Sequence, residues 1–217
     1  MKIKSLVFLI LFAGCSYDNC NIKTNESLKQ ITVQNLIPDI YSVNNLSGFN
    51  SFLLENKNVL YPFYEVEDTS FLLDKVANAF TLIDNVYFDS LYNDVNTHFE
   101  NPLNLFYPLD NSFTKFNQQS NYKLSPNITI LISGFFNDVI VDKENIVIGL
   151  DYFLPKTNKY KPRDLPSYIL DRYSPEHINS ISLSSYLSQF NLINESDLTM
   201  INEMISFGKL YYVVSKL

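Results

Sequence analysis

The chain has 217 residues, of which 46% are hydrophobic and 15% aromatic, and its formal net charge is −7. A composition this apolar excludes a disordered chain and a collagen-like fibre, and two cysteines are too few for a disulfide-stapled miniprotein. Because 23 acidic residues outnumber 16 basic ones, the surface repels phosphate backbones, and we expect no nucleic acid among the partners.

The first fifteen residues have the pattern of an export signal. Lys2 and Lys4 precede an apolar run over residues 6–12, and the small residues Ala13 and Gly14 follow. The run is much shorter than the roughly 20 residues that cross a bilayer as a helix. We therefore predict no transmembrane helix. The signal ends in Phe-Ala-Gly-Cys, which resembles a lipobox, where signal peptidase II cleaves before the cysteine.

The lipobox predicts a lipoprotein signal peptide over residues 1–14 and lipid attachment at Cys15. The thiol of Cys15 would carry diacylglycerol, and its new amino group a third acyl chain. Since each buried methylene contributes about 0.8 kcal/mol, several chains together anchor a protein stably to a membrane. An ordinary secretory signal with an incidental cysteine is the alternative, because Phe12 stands where a lipobox usually has Leu. The expected location is the cell envelope, with inner and outer membrane both open.

The segment after the lipobox is polar, and the folded region follows it. We interpret residues 15–34 as a lipidated, flexible tether and residues 35–217 as a single α+β domain, mostly helical. With the lipid on Cys15, Cys20 is the one cysteine left, so a disulfide framework and a cysteine-rich zinc site are both excluded by count.

Helices are predicted in the first half of the domain. Apolar residues recur at spacings of three and four between residues 49 and 99. Pro62 is expected to interrupt an early helix over residues 52–60, and a further helix is predicted over residues 106–116.

Strands are predicted after residue 126. The continuous β-branched run over 128–132 has the pattern of a buried strand. A short strand over 139–141 and a longer one over 146–154 flank a turn at 142–145. Together they predict a small antiparallel β-meander packed by helices.

Helices return after a loop over residues 155–166. Ser174 is predicted to be an N-cap, with Pro175 in the first turn of its helix. The last helix is expected to begin at residue 194 or 196. Its apolar stripe contains Ile201, Met204, Ile205, Gly208, Tyr211 and Tyr212. Because glycine inside a helix costs about 1 kcal/mol relative to alanine, Gly208 indicates that another backbone approaches this stripe closely.

The common catalytic signatures are missing from the sequence. It contains no phosphate-binding loop, no dinucleotide fingerprint and no nucleophile elbow. Its two histidines, His98 and His177, lack a second histidine four residues away, so the zinc-binding helix motif is also missing. We therefore predict no catalytic residue, no metal ligand and no cofactor.

Asp151 is the most informative polar residue, because it stands on a predicted strand among apolar neighbours. A buried carboxylate must find hydrogen bonds or a cation. We expect Asp151 to bond backbone groups or Arg172 in the interior. The competing hypothesis is a hydrolase that uses Asp151, Glu176 and His177 around a metal.

Four segments in the second half carry a family resemblance. In chain order they are residues 132–135 (ISGF), 146–154 (IVIGLDYFL), 166–169 (PSYI) and 204–211 (MISFGKLY). As an ordered set they resemble the gliding motility lipoprotein GldB family of Bacteroidota over about residues 85–217, and the lipobox fits that family too. Pro155 departs from the glycine that the family usually has there. Family members usually continue well past the last helix, so a shortened or truncated member is expected.

The resemblance implies helices around a small sheet, distantly like zinc metallopeptidases without the zinc motif. It also implies a non-catalytic, membrane-anchored accessory protein of gliding motility or the associated secretion machinery, with protein partners in the cell envelope. Two alternatives stay open: a degenerate or unrecognised metallopeptidase-like hydrolase, and a periplasmic binding or chaperone module. A truncated chain would expose the apolar stripe of its last helix.

Overall fold

The structure is a computed structural model that describes residues 28–66, 72–162, 165–190 and 199–217. The predicted signal peptide, Cys15 and Cys20 lie outside these ranges. The described residues form helices packed around one small sheet, which confirms the predicted α+β class with mostly helical content.

The sheet has four strands in the order β1-β2-β4-β3. The strands are β1 (Thr32–Asn35), β2 (Asn127–Leu131), β3 (Val139–Val141) and β4 (Asn145–Gly149). The pairs β1–β2 and β2–β4 are parallel, and only β3–β4 is antiparallel. The predicted antiparallel meander is therefore wrong. Four of the five residues in β2 and in β4 are buried, and such continuous apolar runs are typical of parallel strands covered on both faces.

Two strand boundaries also differ from the prediction. Strand β1 falls within the segment interpreted as tether, yet Thr32 pairs with Asn127 of β2, so the fold begins before residue 35. The predicted strand over 146–154 ends at Gly149, and residues Leu150–Phe153 form a 3-10 turn. Sequence periodicity missed this end because the turn is as apolar as the strand.

The helices carry most of the described chain. They are α1 (Ile37–Tyr41), α2 (Leu46–Glu55), α3 (Lys57–Phe63), α4 (Leu72–Ile83), α5 (Phe88–His98), α6 (Tyr107–Gln119), α7 (Ser167–Leu170), α8 (Ile178–Ser188) and α9 (Met200–Val214). Further 3-10 turns span Pro102–Phe106 and Pro175–His177. Helices α3 and α8 contact β4, and α1 contacts β2, so the core lies between the sheet and these helices.

The helix boundaries contradict the proline prediction and agree with the capping prediction at Ser174. The early helix breaks at Asn56, between α2 and α3, and Pro62 lies inside the last turn of α3, so the expected interruption at Pro62 is wrong. Ser174 occupies the predicted N-cap position before Pro175. Helix α9 begins at Met200, where the Thr199 side chain accepts a hydrogen bond from the Asn202 N–H at 3.3 Å.

Helix α9 exposes the apolar stripe predicted for the last helix. Its buried residues are Ser206 and Leu210, whereas Met204 is 67% and Tyr212 65% exposed. No atom lies within 4 Å of the position that a Cβ on Gly208 would take. The expected close approach of another backbone at Gly208 is therefore wrong, and the glycine faces open space.

Candidate functional site

The turn that follows β2 combines a left-handed backbone with a buried carboxylate; we call it the turn site, residues 133–136 together with Asp151. Gly134 and Phe135 adopt consecutive left-handed conformations, with φ of +67° and +62°. For a residue other than glycine, this region costs about 1–2 kcal/mol. The surrounding structure must therefore compensate for the conformation of Phe135.

The carboxylate of Asp151 supplies that compensation. It accepts hydrogen bonds from the backbone N–H of Ser133 at 2.8 Å and of Phe135 at 2.6 Å. The Ser133 hydroxyl donates to the same carboxylate, at 3.0 Å from Oδ2 and 3.2 Å from Oδ1. Asp151 is 1% exposed. The prediction that Asp151 bonds backbone groups in the interior is confirmed, while Arg172 lies exposed on the surface.

The electrostatics of Asp151 set two effects against each other. Burial raises the pKa of the Asp151 carboxyl, and the hydrogen bonds donated by Ser133 and Phe135 oppose that rise. Both carboxylate oxygens are occupied by donors of the same turn. In this arrangement the carboxylate holds the loop conformation and presents no oxygen to the exterior.

Two glycines make the turn site sterically possible. A Cβ on Gly134 would lie 2.7 Å from the carbonyl oxygen of Leu82, and a Cβ on Gly149 would lie 2.9 Å from the Ser133 hydroxyl oxygen and overlap the Asn137 carbonyl oxygen. Neither position therefore tolerates a side chain. Gly149 thus lets the loop that contains Ser133 and Asn137 pass close to β4. Two residues later, Asp151 accepts hydrogen bonds from the backbone of the same loop.

Tyr64, the residue after α3, lies on the inner side of the turn site. Its ring is 1% exposed and contacts Phe136 with centroids 5.2 Å apart. Among the described residues, no group forms a hydrogen bond with the Tyr64 hydroxyl. Burial, and then the charge of Asp151, raise the pKa of Tyr64. Sequence reasoning missed this residue because nothing in its local pattern distinguishes it from a core aromatic.

Tyrosines cover the outer side of the turn site. The Tyr152 hydroxyl donates to the Phe135 carbonyl at 2.8 Å, and the Tyr173 hydroxyl donates to Asp138 at 2.6 Å. Burial raises the pKa of both tyrosines. They line a pocket whose other residues are Leu154, Lys156, Tyr160, Lys161, Pro162, Leu170 and Asp171. An exposed ion pair of 3.0 Å joins Lys156 and Asp171 within this lining, so a mixed aromatic and charged surface lies over the turn.

The residues of the metal-hydrolase hypothesis are not brought together. Asp151 faces the interior, whereas Glu176 and His177 are exposed in a 3-10 turn where His177 Nδ1 bonds the Ser174 hydroxyl at 2.8 Å. His98 Nδ1 lies 2.8 Å from a backbone carbonyl of its own helix. Across the described ranges, no group of three His, Cys, Asp or Glu residues is placed to hold a metal ion.

A second polar cluster holds the start of the described chain; we call it the Asp110 cluster. The carboxylate of Asp110, in α6, accepts hydrogen bonds from the backbone N–H groups of Lys29 (3.0 Å), Gln30 (2.7 Å) and Ile31 (3.1 Å). Asn117, two turns further along α6, bonds the Gln30 side chain. Asp110 and Asn117 lie among the buried residues of their helix, and a polar residue at a predicted buried position is the signal by which the sequence could have indicated them.

The two clusters lie at opposite ends of the parallel strands. The Asp110 cluster precedes Thr32, which aligns with Asn127 and Asn145 at the amino ends of β1, β2 and β4. The turn site follows Leu131 and Gly149, which are paired at the carboxyl ends. A strand of five residues spans about 17 Å, so this distance separates the two clusters along the sheet.

Comparison with protein families identifies the chain. The model of a family described as gliding motility protein GldB matches residues 18–217. The chain belongs to the gliding motility protein GldB family. No curated protein and no solved structure matches it, so the likeness to zinc metallopeptidases stays a prediction.

In this GldB family member, two of the four recognised segments form the turn site. Segment 132–135 supplies the left-handed turn, and segment 146–154 supplies Gly149 and Asp151. The other two lie in α7 and α9. Within the part of the chain that the structure describes, no helix has both the length and the apolar character to cross a membrane.

Proposed function

We propose that the chain is a non-catalytic accessory lipoprotein of the gliding machinery, held to a membrane of the cell envelope by acylated Cys15. Membership of the GldB family supports the link to gliding motility. The sequence Phe-Ala-Gly-Cys at residues 12–15 supports the lipid anchor. The expected partners are membrane lipid at Cys15 and proteins of the cell envelope.

The observation that carries the non-catalytic part is the hydrogen bonding of Asp151. A catalytic acid or base must reach a substrate atom at hydrogen-bond distance. Asp151 is instead buried, and its two oxygens accept hydrogen bonds from Ser133 and Phe135. Asp151 therefore acts on the shape of a loop, and the Tyr152 hydroxyl of the outer pocket donates to the Phe135 carbonyl of that loop.

The placement of the two clusters supports a role in presenting this surface. The chain enters the fold from the anchor side at the Asp110 cluster, at the amino ends of the parallel strands. Tyr152, Tyr173 and the pocket between them lie at the carboxyl ends. A domain tethered at one end of its sheet would present the opposite end to envelope proteins.

A deletion strain complemented with variants tests the proposal. Wild type is expected to restore colony spreading, whereas Cys15→Ser is expected to lose both palmitate labelling and spreading. Asp74→Asn, at an exposed carboxylate in the first turn of α4 that does not line this pocket, serves as the surface control. Normal spreading in the clean deletion strain would contradict the role in motility. A Cys15→Ser protein that still restores spreading without palmitate labelling would contradict the requirement for the lipid anchor. It would leave the role in motility intact.

Two alternatives have their own tests. A metal-dependent hydrolase predicts stoichiometric metal and loss of function in His177→Ala; the exposed position of His177, bonded to Ser174, does not favour it. A binding or chaperone module predicts an exposed apolar patch larger than a few hundred Å². Helix α9 exposes several large apolar side chains, among them Met204 and Tyr212, as this alternative expects.

A further inference from the structure

Strand β1 is attached to the sheet mainly through its backbone. It lies at the edge of the sheet, and among the described strands its one neighbour is β2. Three of its four side chains are exposed, so their burial contributes little. The register runs in parallel from Thr32 opposite Asn127 to Asn35 opposite Ile130. Just past the strand, the Leu36 N–H donates to the Ile130 carbonyl at 2.9 Å.

The segment immediately before β1, residues 29–31, is held by polar contacts from two other parts of the chain. The Asp110 carboxylate accepts hydrogen bonds from its three successive backbone N–H groups. Ser125, in the loop before β2, donates its hydroxyl to the Gln30 carbonyl. Hydrogen bonds to a carboxylate are about twice as strong as neutral ones, and Asp110 is only 4% exposed. The strongest polar contacts of this part of the fold therefore lie at its first residues.

Tension on the amino-terminal side of the chain would reach the described fold first at residues 29–31. With acyl chains on Cys15, a membrane would hold the chain upstream of this segment. Envelope proteins bound elsewhere on the domain would hold it from the other side. Any movement of one attachment against the other would then load residues 29–36, because the covalent chain transmits tension to the first non-covalent bonds that resist it.

The parallel direction of β1 and β2 determines how such a load is shared. Residues 29–31 lie at the amino ends of these strands, whereas the turn site lies at the carboxyl ends of β2 and β4. If the domain is held at the carboxyl ends, the force on β1 runs along the strands. The hydrogen bonds of a parallel pair run between the strands at even spacing, so they must shear together before β1 moves. The free energies of bonds that break together add, which makes detachment slow.

A force applied across the sheet would act differently. The turn between β3 and β4 contains Lys143 and lies at the amino end of β4, where Val141 pairs with Ile146. Strand β4 is the second neighbour of β1, and adjacent strands lie about 4.8 Å apart, so this turn lies beside the chain entry. A load between the chain entry and Lys143 would peel residues 29–36 away one hydrogen bond at a time. A single hydrogen bond contributes little net free energy, so detachment by this route is fast.

We propose that residues 29–36, together with Asp110 and Ser125, form a load-bearing junction, which we call the entry clamp. It transmits tension from the anchored amino-terminal side to the carboxyl ends of the sheet while the domain stays folded. The proposal rests on the proposed anchor and motility role, since these supply the attachment and the tension. It gives the buried carboxylate of Asp110 a mechanical role, because this group holds the clamp at the end where the load arrives.

Single-molecule pulling in two directions tests the entry clamp. The chain over residues 15–217, produced without its signal segment and with Cys20→Ser, takes one DNA handle on the Cys15 thiol, the position of the proposed lipid. The second handle is attached through Thr157→Cys, next to the pocket over the turn site, for a lengthwise pull. It is attached through Lys143→Cys for a crosswise pull. Both positions are exposed, and optical tweezers measure the lifetime of the folded state at one constant force.

The folded state is expected to last at least about tenfold longer under the lengthwise pull than under the crosswise pull. The reason is that the hydrogen bonds of the entry clamp break together in one direction and singly in the other, and tenfold corresponds to only about 1.4 kcal/mol in the barrier. Equal lifetimes, or a longer lifetime under the crosswise pull, would overturn the proposal.

The pulling measurement is independent of the test of the proposed function. It involves neither lipid nor a moving cell, so a failed clamp would leave the motility role and the anchor to be decided by the deletion strain. Conversely, normal spreading in that strain would remove the source of the tension without changing either lifetime. The two failures are therefore distinguishable.

Substitutions within the entry clamp provide a second check. Asp110→Ala should shorten the lifetime under the lengthwise pull at least about tenfold, because three hydrogen bonds to a charged acceptor are lost. Ser125→Ala removes one hydrogen bond from an exposed side chain and should shorten it severalfold, which decides the matter if Asp110→Ala does not fold. Asp74→Ala, at an exposed carboxylate of α4, is the matched control and should change nothing. An unchanged lifetime in every clamp variant that folds would overturn the proposal.

Discussion

The carboxylate of Asp151 lies 2.6 Å from the backbone nitrogen of Phe135, whose φ of +62° is left-handed. A hydrogen bond to a charged acceptor contributes about 1.5–3 kcal/mol, enough to offset the cost of about 1–2 kcal/mol for this conformation. One side chain thus stabilises a loop shape that the sequence around Phe135 does not favour by itself.

Removing this acceptor should therefore destabilise the fold strongly. Asp151→Ala leaves the N–H groups of Ser133 and Phe135 without their partner in the interior, and we expect a loss of about 3–4 kcal/mol in unfolding free energy. Asp151→Asn should lose less, because its amide still offers one acceptor oxygen. Urea denaturation followed by circular dichroism measures both. A loss below about 1 kcal/mol in Asp151→Ala would contradict the role assigned to this carboxylate.

The glycines should respond in opposite directions. Gly149→Ala places a Cβ 2.9 Å from the Ser133 hydroxyl oxygen and onto the Asn137 carbonyl, so we expect a loss of several kcal/mol or failure to fold. Gly208→Ala meets open space in a helix, and we expect a gain of about 1 kcal/mol in unfolding free energy. Melting temperatures of the two variants beside wild type check the prediction. A destabilised Gly208→Ala would show that the region above Gly208 is already filled.

The hydroxyl of Tyr64 offers a third test. It has no hydrogen-bond partner among the described residues, so Tyr64→Phe should raise the unfolding free energy by about 1 kcal/mol. Tyr186 is the matched control: it is equally buried, but its hydroxyl donates to the Lys143 carbonyl at 2.7 Å. Tyr186→Phe should therefore cost about 1 kcal/mol. Equal effects of the two substitutions would contradict the assignment.

The same tyrosine predicts a dependence of stability on alkaline pH. Burial raises the pKa of Tyr64 above the value of about 10 that it has in the unfolded chain. Above pH 10 the unfolded chain therefore loses this proton while the folded protein keeps it, and stability falls as pH rises. Tyr64→Phe should show a shallower fall between pH 9 and about 11. Parallel slopes for wild type and variant would contradict this.

The sequence predicted the class of the fold, most helices and the burial of Asp151, because these depend on local apolar periodicity and on the cost of a buried charge. It did not predict the parallel pairing of β2 with β4, since strand direction depends on how residues 132–138 cross the sheet edge. Nor did it predict the left-handed Phe135 or the open space at Gly208. Both depend on which segments far apart in the chain come together: Leu82 packs against Gly134, whereas no segment packs against Gly208.

The Asp110 cluster gives the last prediction. Asp110 binds three successive N–H groups at residues 29–31 and is 4% exposed, so Asp110→Ala should release this segment from α6. The backbone amides of Lys29, Gln30 and Ile31 should then exchange hydrogen at least tenfold faster, because a tenfold change requires only about 1.4 kcal/mol. Hydrogen exchange read by mass spectrometry on the peptide that contains residues 28–35 measures this.

Asp74 provides the control for that measurement, because it is an exposed carboxylate in the first turn of α4. Asp74→Ala should leave exchange at residues 29–31 unchanged. The turn site should also keep its protection in Asp110→Ala, since a strand length separates it from Asp110. Faster exchange in both regions would indicate global unfolding. Unchanged exchange at residues 29–31 would show that β1, through its pairing with β2, holds this segment without help from Asp110.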